Sequence, residues 1–93
     1  MNTNETKIKL EFPITSGGVL VQEITMRRVK VKDQLAVQKT GGSGAEQEVR
    51  LIANLANLAP ADVEELDCAD YKRVQETLQS FMSPKREDSA ELQ

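Results

Sequence analysis

A chain of 93 residues with a net charge of −3 and three aromatic residues is too short for two cores and too acidic for an ordinary nucleic-acid binder. Its single cysteine, Cys68, excludes an internal disulfide, and no run of 18 apolar residues is present to span a bilayer. The absence of histidine removes the commonest general base, the commonest metal ligand and any Ser-His or Cys-His pair. With no apolar stretch of signal-peptide length near Met1, these features lead to an expectation of a soluble protein in a reducing cytoplasm.

Residues 1–6 are polar and are expected to be disordered. In KIKLEF, Ile8, Leu10 and Phe12 alternate with Lys7, Lys9 and Glu11, which predicts a strand over 7–12 with those three apolar residues inward. Pro13 cannot donate to a ladder and is expected to end the strand, leaving PITSGG as a loop of six residues. A second strand is predicted over 19–28, with Leu20, Ile24 and Met26 on one face and Gln22 interrupting it. After Arg27 and Arg28 the apolar phase shifts to Val29 and Val31, which marks a bulge or the strand's end.

Four helices follow in the pattern. The first, near 34–40 with Asp33 as its cap, holds Leu35, Ala36 and Val37. The second runs over 45–57 behind a capping box of Ser43 and Glu46, with Val49, Ile52, Leu55 and Ala56 as its stripe and Leu51 and Leu58 widening it. Pro60 suits the first position of a third helix over 60–66. Asp67 caps the fourth, 68–82, in which Tyr71, Val74, Leu78 and Phe81 form one stripe and Lys72, Arg73, Glu76 and Gln79 the wet side. Residues 83–93, charged and poor in core formers, are expected to be a disordered tail that folding does not need. The prediction is a single small α+β domain over 7–82, an N-terminal antiparallel β-hairpin followed by about four α-helices.

The chain offers little chemistry. Cys68 is expected to be a small, partly buried apolar residue. The acids Asp62, Glu64, Glu65, Asp67 and Asp70 do not follow the calcium-loop spacing, and their places at helix starts explain most of them. The TGGSG stretch lacks the GK[ST] ending of a phosphate loop and is expected to be a connector. Arg27, Arg28, Lys30, Lys32 and Lys39 are the one asymmetric charge cluster. They suit either protection of a strand edge or a docking edge for an acidic partner. The partner-binding candidates are Arg27, Arg28 and Lys30 for charge, and Leu51 and Met82 as walls of an apolar groove between the second and last helices; plain core membership is the competing reading of Leu51 and Met82.

The order of these features carries a resemblance. An alternating strand ending in Phe12-Pro13 leads through a glycine turn to ITMRRVKVKDQLAVQK, then a glycine-bearing gap, then EQEVRLIANLANLAPADVEELDCADYKRVQETLQSFM. Arg27, Arg28, Lys30 and Asp33 resemble an Arg-rich strand-to-helix junction followed by Asp. Leu51, Ile52 and Ala53 resemble an "LIA" helix core, and Leu58-Ala59-Pro60 with Leu66-Asp67 and Asp70-Tyr71 a closing pattern. Together they resemble the tail assembly chaperone family of Mu-like and related contractile-tailed bacteriophages and prophages. Val29 stands where that family often has proline, and Ala59 where it has Thr or Ser.

The resemblance implies a non-enzymatic chaperone, with no cofactor, that binds the tape measure protein while the tail tube assembles. It also implies the tail tube protein and a frameshifted longer form of the chain as further partners, and leaves homo-oligomerisation open. Its expected place is the host bacterial cytoplasm and not the mature virion, with no membrane or nucleic acid bound. The alternative is a small regulatory or nucleic-acid-associated phage protein that uses the basic junction.

Overall fold

Alternating apolar residues do build a hairpin at the start of the chain, and it is longer than the sequence suggests. In a computed structural model, which describes residues 5–82, strand β1 spans Glu5–Ser16 and strand β2 spans Val19–Arg27. They pair antiparallel, from Glu5 opposite Arg27 to Ser16 opposite Val19. Four helices follow: α1 (Val31–Thr40), α2 (Gly44–Ala56), α3 (Pro60–Glu64) and α4 (Cys68–Phe81). The predicted α+β order of one hairpin and four helices is the observed one. The expected disorder of residues 1–6 and 83–93 concerns mainly residues outside the described range, although Glu5 and Thr6 already belong to β1.

Pro13 does not end β1. The strand passes through it to Ser16, and the connection is only Gly17-Gly18, not six residues. Both glycines have positive φ, 57° and 83°, as a tight two-residue hairpin turn requires. Proline is accommodated because pairing breaks around it. Lys9 faces Glu23 and Ile14 faces Val21, so residues 10–13 lie opposite Gln22 alone. A bulge of that size needs no ladder donor from Pro13.

The bulge also corrects the inward set. Ile8 and Leu10 are buried as expected, but Phe12 is 53% exposed and Ile14 takes the third inward place. On β2, Ile24 and Met26 are buried, while Leu20 is 58% exposed because it lies near the turn, beyond the helices that cover the hairpin.

The helices pack on this frame: α3 and α4 on β1, α2 on β2, and α1 and α3 on α2. Their junction is one core that joins Ile8, Leu10, Ile14, Ile24 and Met26 of the hairpin to Ile52 and Leu55 of α2 and to Val74, Leu78 and Phe81 of α4. Val63 and Leu66 close its lower end around α3. Each fully buried aliphatic side chain of this kind contributes about 1.5–3 kcal/mol.

Helix ends follow their local chemistry, with two adjustments. Ser43 Oγ accepts the Glu46 N–H at 3.1 Å and Glu46 Oε1 accepts the Ser43 N–H at 3.0 Å, the expected capping box. Asp67 caps α4 by accepting the Ala69 N–H at 2.9 Å. However, α1 begins at Val31, three residues earlier than predicted, so Asp33 lies inside the first turn and reaches back to the Lys30 N–H at 2.8 Å. Of the three apolar residues at its centre, only Val37 is buried; Leu35 and Ala36 are exposed. Ala59 offers α3 no side-chain cap, and Asp62 supplies one by accepting the Ala59 N–H at 3.1 Å.

Candidate functional site

The basic junction between β2 and α1 is largely engaged within the chain. Arg27 donates to Asp33 through both terminal nitrogens, at 2.9 and 2.8 Å, a bidentate pair that joins the end of β2 to the first turn of α1. Arg27 lowers the Asp33 carboxyl to a pKa of about 2; burial opposes this and the Lys30 N–H assists it. Arg28 reaches the other way. It donates to the Phe81 carbonyl at 3.0 Å, and its guanidinium lies over the Phe81 ring, 5.3 Å from the centroid. It thereby neutralises the C-terminal end of α4, where the helix dipole favours a cation. Two of the three cations singled out in the sequence thus have internal partners, while the Lys30 side chain is exposed.

Leu51 and Met82 come together. Both line a depression of about 300 Å³ between α1, α2 and α4. Its floor is apolar and buried: Val37 from α1, Leu51 from α2 and Leu78 from α4. Leu51 is therefore a core residue that is also the groove floor, rather than a stripe-margin residue. Met82 is 48% exposed and forms one wall, where its sulfur accepts a hydrogen bond from Gln34 at 3.5 Å. Gln34, Gln38, Gln47, Glu48 and Gln79 are the polar residues of its lining. Outside that lining α1 exposes two further large apolar residues, Val31 at 73% and Leu35 at 53%.

A neighbouring hollow of about 460 Å³ lies beside the glycine connector. Its lining mixes Ala45, Val49 and Pro60 with the charged Glu46, Arg50 and Glu64, and Arg50 is occupied with the Gly41 carbonyl. The three-helix groove combines an apolar floor with exposed apolar side chains beside it, so it is the stronger candidate.

Two acids of the second half hold the hairpin, Asp62 and Asp70. Asp62 accepts from Ser16 Oγ at 2.8 Å and ties the hairpin to α3. Asp70, fully buried, accepts the Glu11 and Phe12 N–H groups at 3.0 and 2.9 Å and pairs with Arg73 at 2.7 Å. Burial pushes the Asp70 carboxyl up, but the two N–H donors and Arg73 outweigh it and hold the pKa below the ordinary value. Arg73 also donates to the Lys9 carbonyl, so this residue, assigned to the wet side, binds the hairpin. Tyr71 is half-buried and donates to Glu48 at 2.7 Å; burial first, and then that carboxylate, raise its pKa and keep it a donor. Cys68 is exposed, contrary to the expected partial burial, because it occupies the first, outward-facing position of α4.

Sequence reasoning missed two features. Asp70 was assigned to the helix start, whereas its carboxylate holds a strand 58 and 59 residues away. A proline inside a pattern that otherwise alternates was the available signal, because a broken ladder leaves N–H groups in need of an acceptor. Exposed Val31 and Leu35 were also missed; their i, i+4 spacing is visible once α1 is known to begin at Val31.

No described helix is long and apolar enough to cross a membrane. No significant match appears among curated proteins or solved structures. A family model described as "Phage tail assembly chaperone proteins, E, or 41 or 14" matches residues 7–83. That span takes in nearly all of the hairpin, all four described helices and every residue lining the groove, and by it the chain belongs to the phage tail assembly chaperone family.

Proposed function

We propose that this chain is a non-enzymatic chaperone that binds apolar helical segments of the tape measure protein and keeps them soluble until the tail tube closes around them. The observation that carries this reading is the groove between α1, α2 and α4, with its buried Val37, Leu51 and Leu78 floor and exposed Met82 at its edge. Membership of the tail assembly chaperone family supports it. A long apolar helix synthesised before its tube aggregates unless its apolar stripe is covered, and a groove of this kind covers one stretch at a time. Binding has to be weak at each place, because the client must later be released to the tube. The work belongs to the host cytoplasm, before the virion is complete, with the tail tube protein and a longer form of this chain as further partners.

The test is co-expression of the full chain with fragments of the tape measure protein from the same phage. The expected result is a fragment that is insoluble alone and co-purifies in soluble form with the chain. Fragments that remain insoluble or unbound across the whole tape measure sequence would overturn the reading.

A further inference from the structure

The two strands of the hairpin differ in what holds them. Helices α3 and α4 grip β1: Asp70 accepts the Glu11 and Phe12 N–H groups, Arg73 donates to the Lys9 carbonyl, and Asp62 accepts from Ser16 Oγ. On β2, the hydrogen bonds found among the described residues give residues 19–26 no partner other than β1. The backbone groups on the side of β2 away from β1 thus form an open edge.

Charge is also unevenly placed along the hairpin. Glu5, Lys7, Lys9 and Glu11 on β1, with Glu23 and Arg27 on β2, line its base, whereas residues 12–22 carry no charge. Val19 and Leu20 are exposed in that uncharged stretch, and β2 contains no proline. Strand edges that stay unpaired are usually guarded by charge, proline or a covering element. At the tip of β2 the described residues supply none of these.

Symmetry and charge decide which strand fits. Two identical strands pair antiparallel about a two-fold axis normal to the sheet, so residues at equal distances from the axis face each other. An axis at Leu20 sets Leu20 against its own copy, and Val19 against Val21 of the second copy. Apolar pairs then lie on both faces of the sheet. Glu23 falls opposite Gly17 of the second copy, past the paired residues. An axis at Glu23 would use more of β2, but it sets two carboxylates directly opposite each other, which is destabilising.

We propose that this chain forms a symmetric dimer by antiparallel pairing of β2 around Leu20, which joins the two-stranded sheets of both copies into one. The contact is separate from the groove between α1, α2 and α4 and goes beyond the chaperone reading. A contact confined to the hairpin tip falls short of the roughly 1,200 Å² of a stable interface, so the dimer dissociates on dilution.

Sedimentation of the full chain from about 10 μM to about 1 mM tests this, the range in which weak contacts fill. The mass is expected to rise from 10.3 kDa toward twice that value. Leu20→Glu and Leu20→Lys each place like charges opposite each other at the axis, and each should weaken the dimer at least about tenfold. An equimolar mixture of the two variants should restore it, because opposite charges then meet. Leu20 is exposed, so both variants should keep the parent's melting temperature. A parent that stays monomeric throughout overturns the self-pairing and leaves the edge to a strand from another protein. Variants that dimerise as the parent does place the contact on another surface and overturn it as well. A mixture that stays monomeric overturns the axis at Leu20.

Discussion

Asp70 and Phe12 are joined across 58 residues of chain: the buried carboxylate accepts the Phe12 N–H at 2.9 Å. The adjacent Glu11 N–H goes to the other carboxylate oxygen at 3.0 Å. One side chain on the first turn of α4 thus replaces the ladder that β1 loses around Pro13. Replacing Asp70 with Ala leaves two N–H groups and the Arg73 cation without their acceptor, and should cost about 3 kcal/mol. Asp70→Asn keeps one acceptor oxygen and should cost about half as much. Urea unfolding of the three proteins measures both. If D70A unfolds within about 0.5 kcal/mol of the parent, the clasp is not what holds the hairpin to α4.

Acid should loosen the same fold at two points. The Asp33 carboxyl is held at a pKa of about 2 by Arg27, and that of Asp70 lies below its ordinary value. A carboxyl whose folded pKa is depressed binds its proton more readily when unfolded. Its contribution is therefore complete above about pH 4 and is lost as pH falls through the folded value. Stability from these two groups should be flat from pH 5 to 8 and decline between about pH 4 and 2. Asp33→Asn should remove part of that acid limb, and an acid limb identical to the parent's would assign the decline to other groups.

Two glycines two residues apart should respond in opposite directions to alanine. Gly42 has φ 95°, and a Cβ there would lie 2.7 Å from Glu46 Oε1, the atom that caps the Ser43 N–H. Gly42→Ala is thus strained and displaces the capping carboxylate, for a loss of about 1–2 kcal/mol. Gly44 is helical, and a Cβ added to it meets nothing within 4 Å. Gly44→Ala should stabilise by roughly 0.5–1 kcal/mol, through the smaller entropy of the unfolded chain. Thermal melts distinguish them, and a shift in the same direction for both would contradict this account of the connector.

The inward face of β1 shows where sequence pattern stops being informative. Period-two alternation placed Ile8 and Leu10 correctly, because a regular ladder fixes the side of every residue. It failed at Phe12, because the bulge opposite Gln22 is stabilised by Asp70, which no local window contains. For the same reason the candidate site was only partly legible. Leu51 could be named from amphipathic spacing and Met82 from the adaptability of methionine, but the partners of Arg27 and Arg28 depend on how α1 and α4 meet the end of β2. Helix caps, which depend on neighbours in sequence, were read well at Ser43 and Asp67. The consequence for β1 is measurable: Phe12→Ser should cost under about 1 kcal/mol, whereas Ile14→Ala should cost about 2–4 kcal/mol. Comparable losses would return Phe12 to the core.

Leu51 and Met82 share one groove but should fail differently when altered. Leu51 is 6% exposed and packs among Val37 and Leu78, so Leu51→Gln buries an amide without partners and removes core contacts. Its expected cost is about 2–4 kcal/mol, seen as a lower melting temperature before any effect on a client. Met82 is 48% exposed at the end of α4, and its contact with Gln34 is a weak sulfur hydrogen bond. Met82→Gln keeps length and flexibility while removing most of the apolar contact a client helix would make, so the melting point should move little. Binding of a soluble tape measure fragment to the folded variant should nonetheless weaken several-fold, and Leu35→Gln, on the exposed side of α1, should act in the same direction. Calorimetric titration at a temperature where every variant is folded separates the two effects. If Met82→Gln and Leu35→Gln bind the fragment as the parent does, the client does not lie across α1 and α4, and the exposed apolar residues there serve another contact.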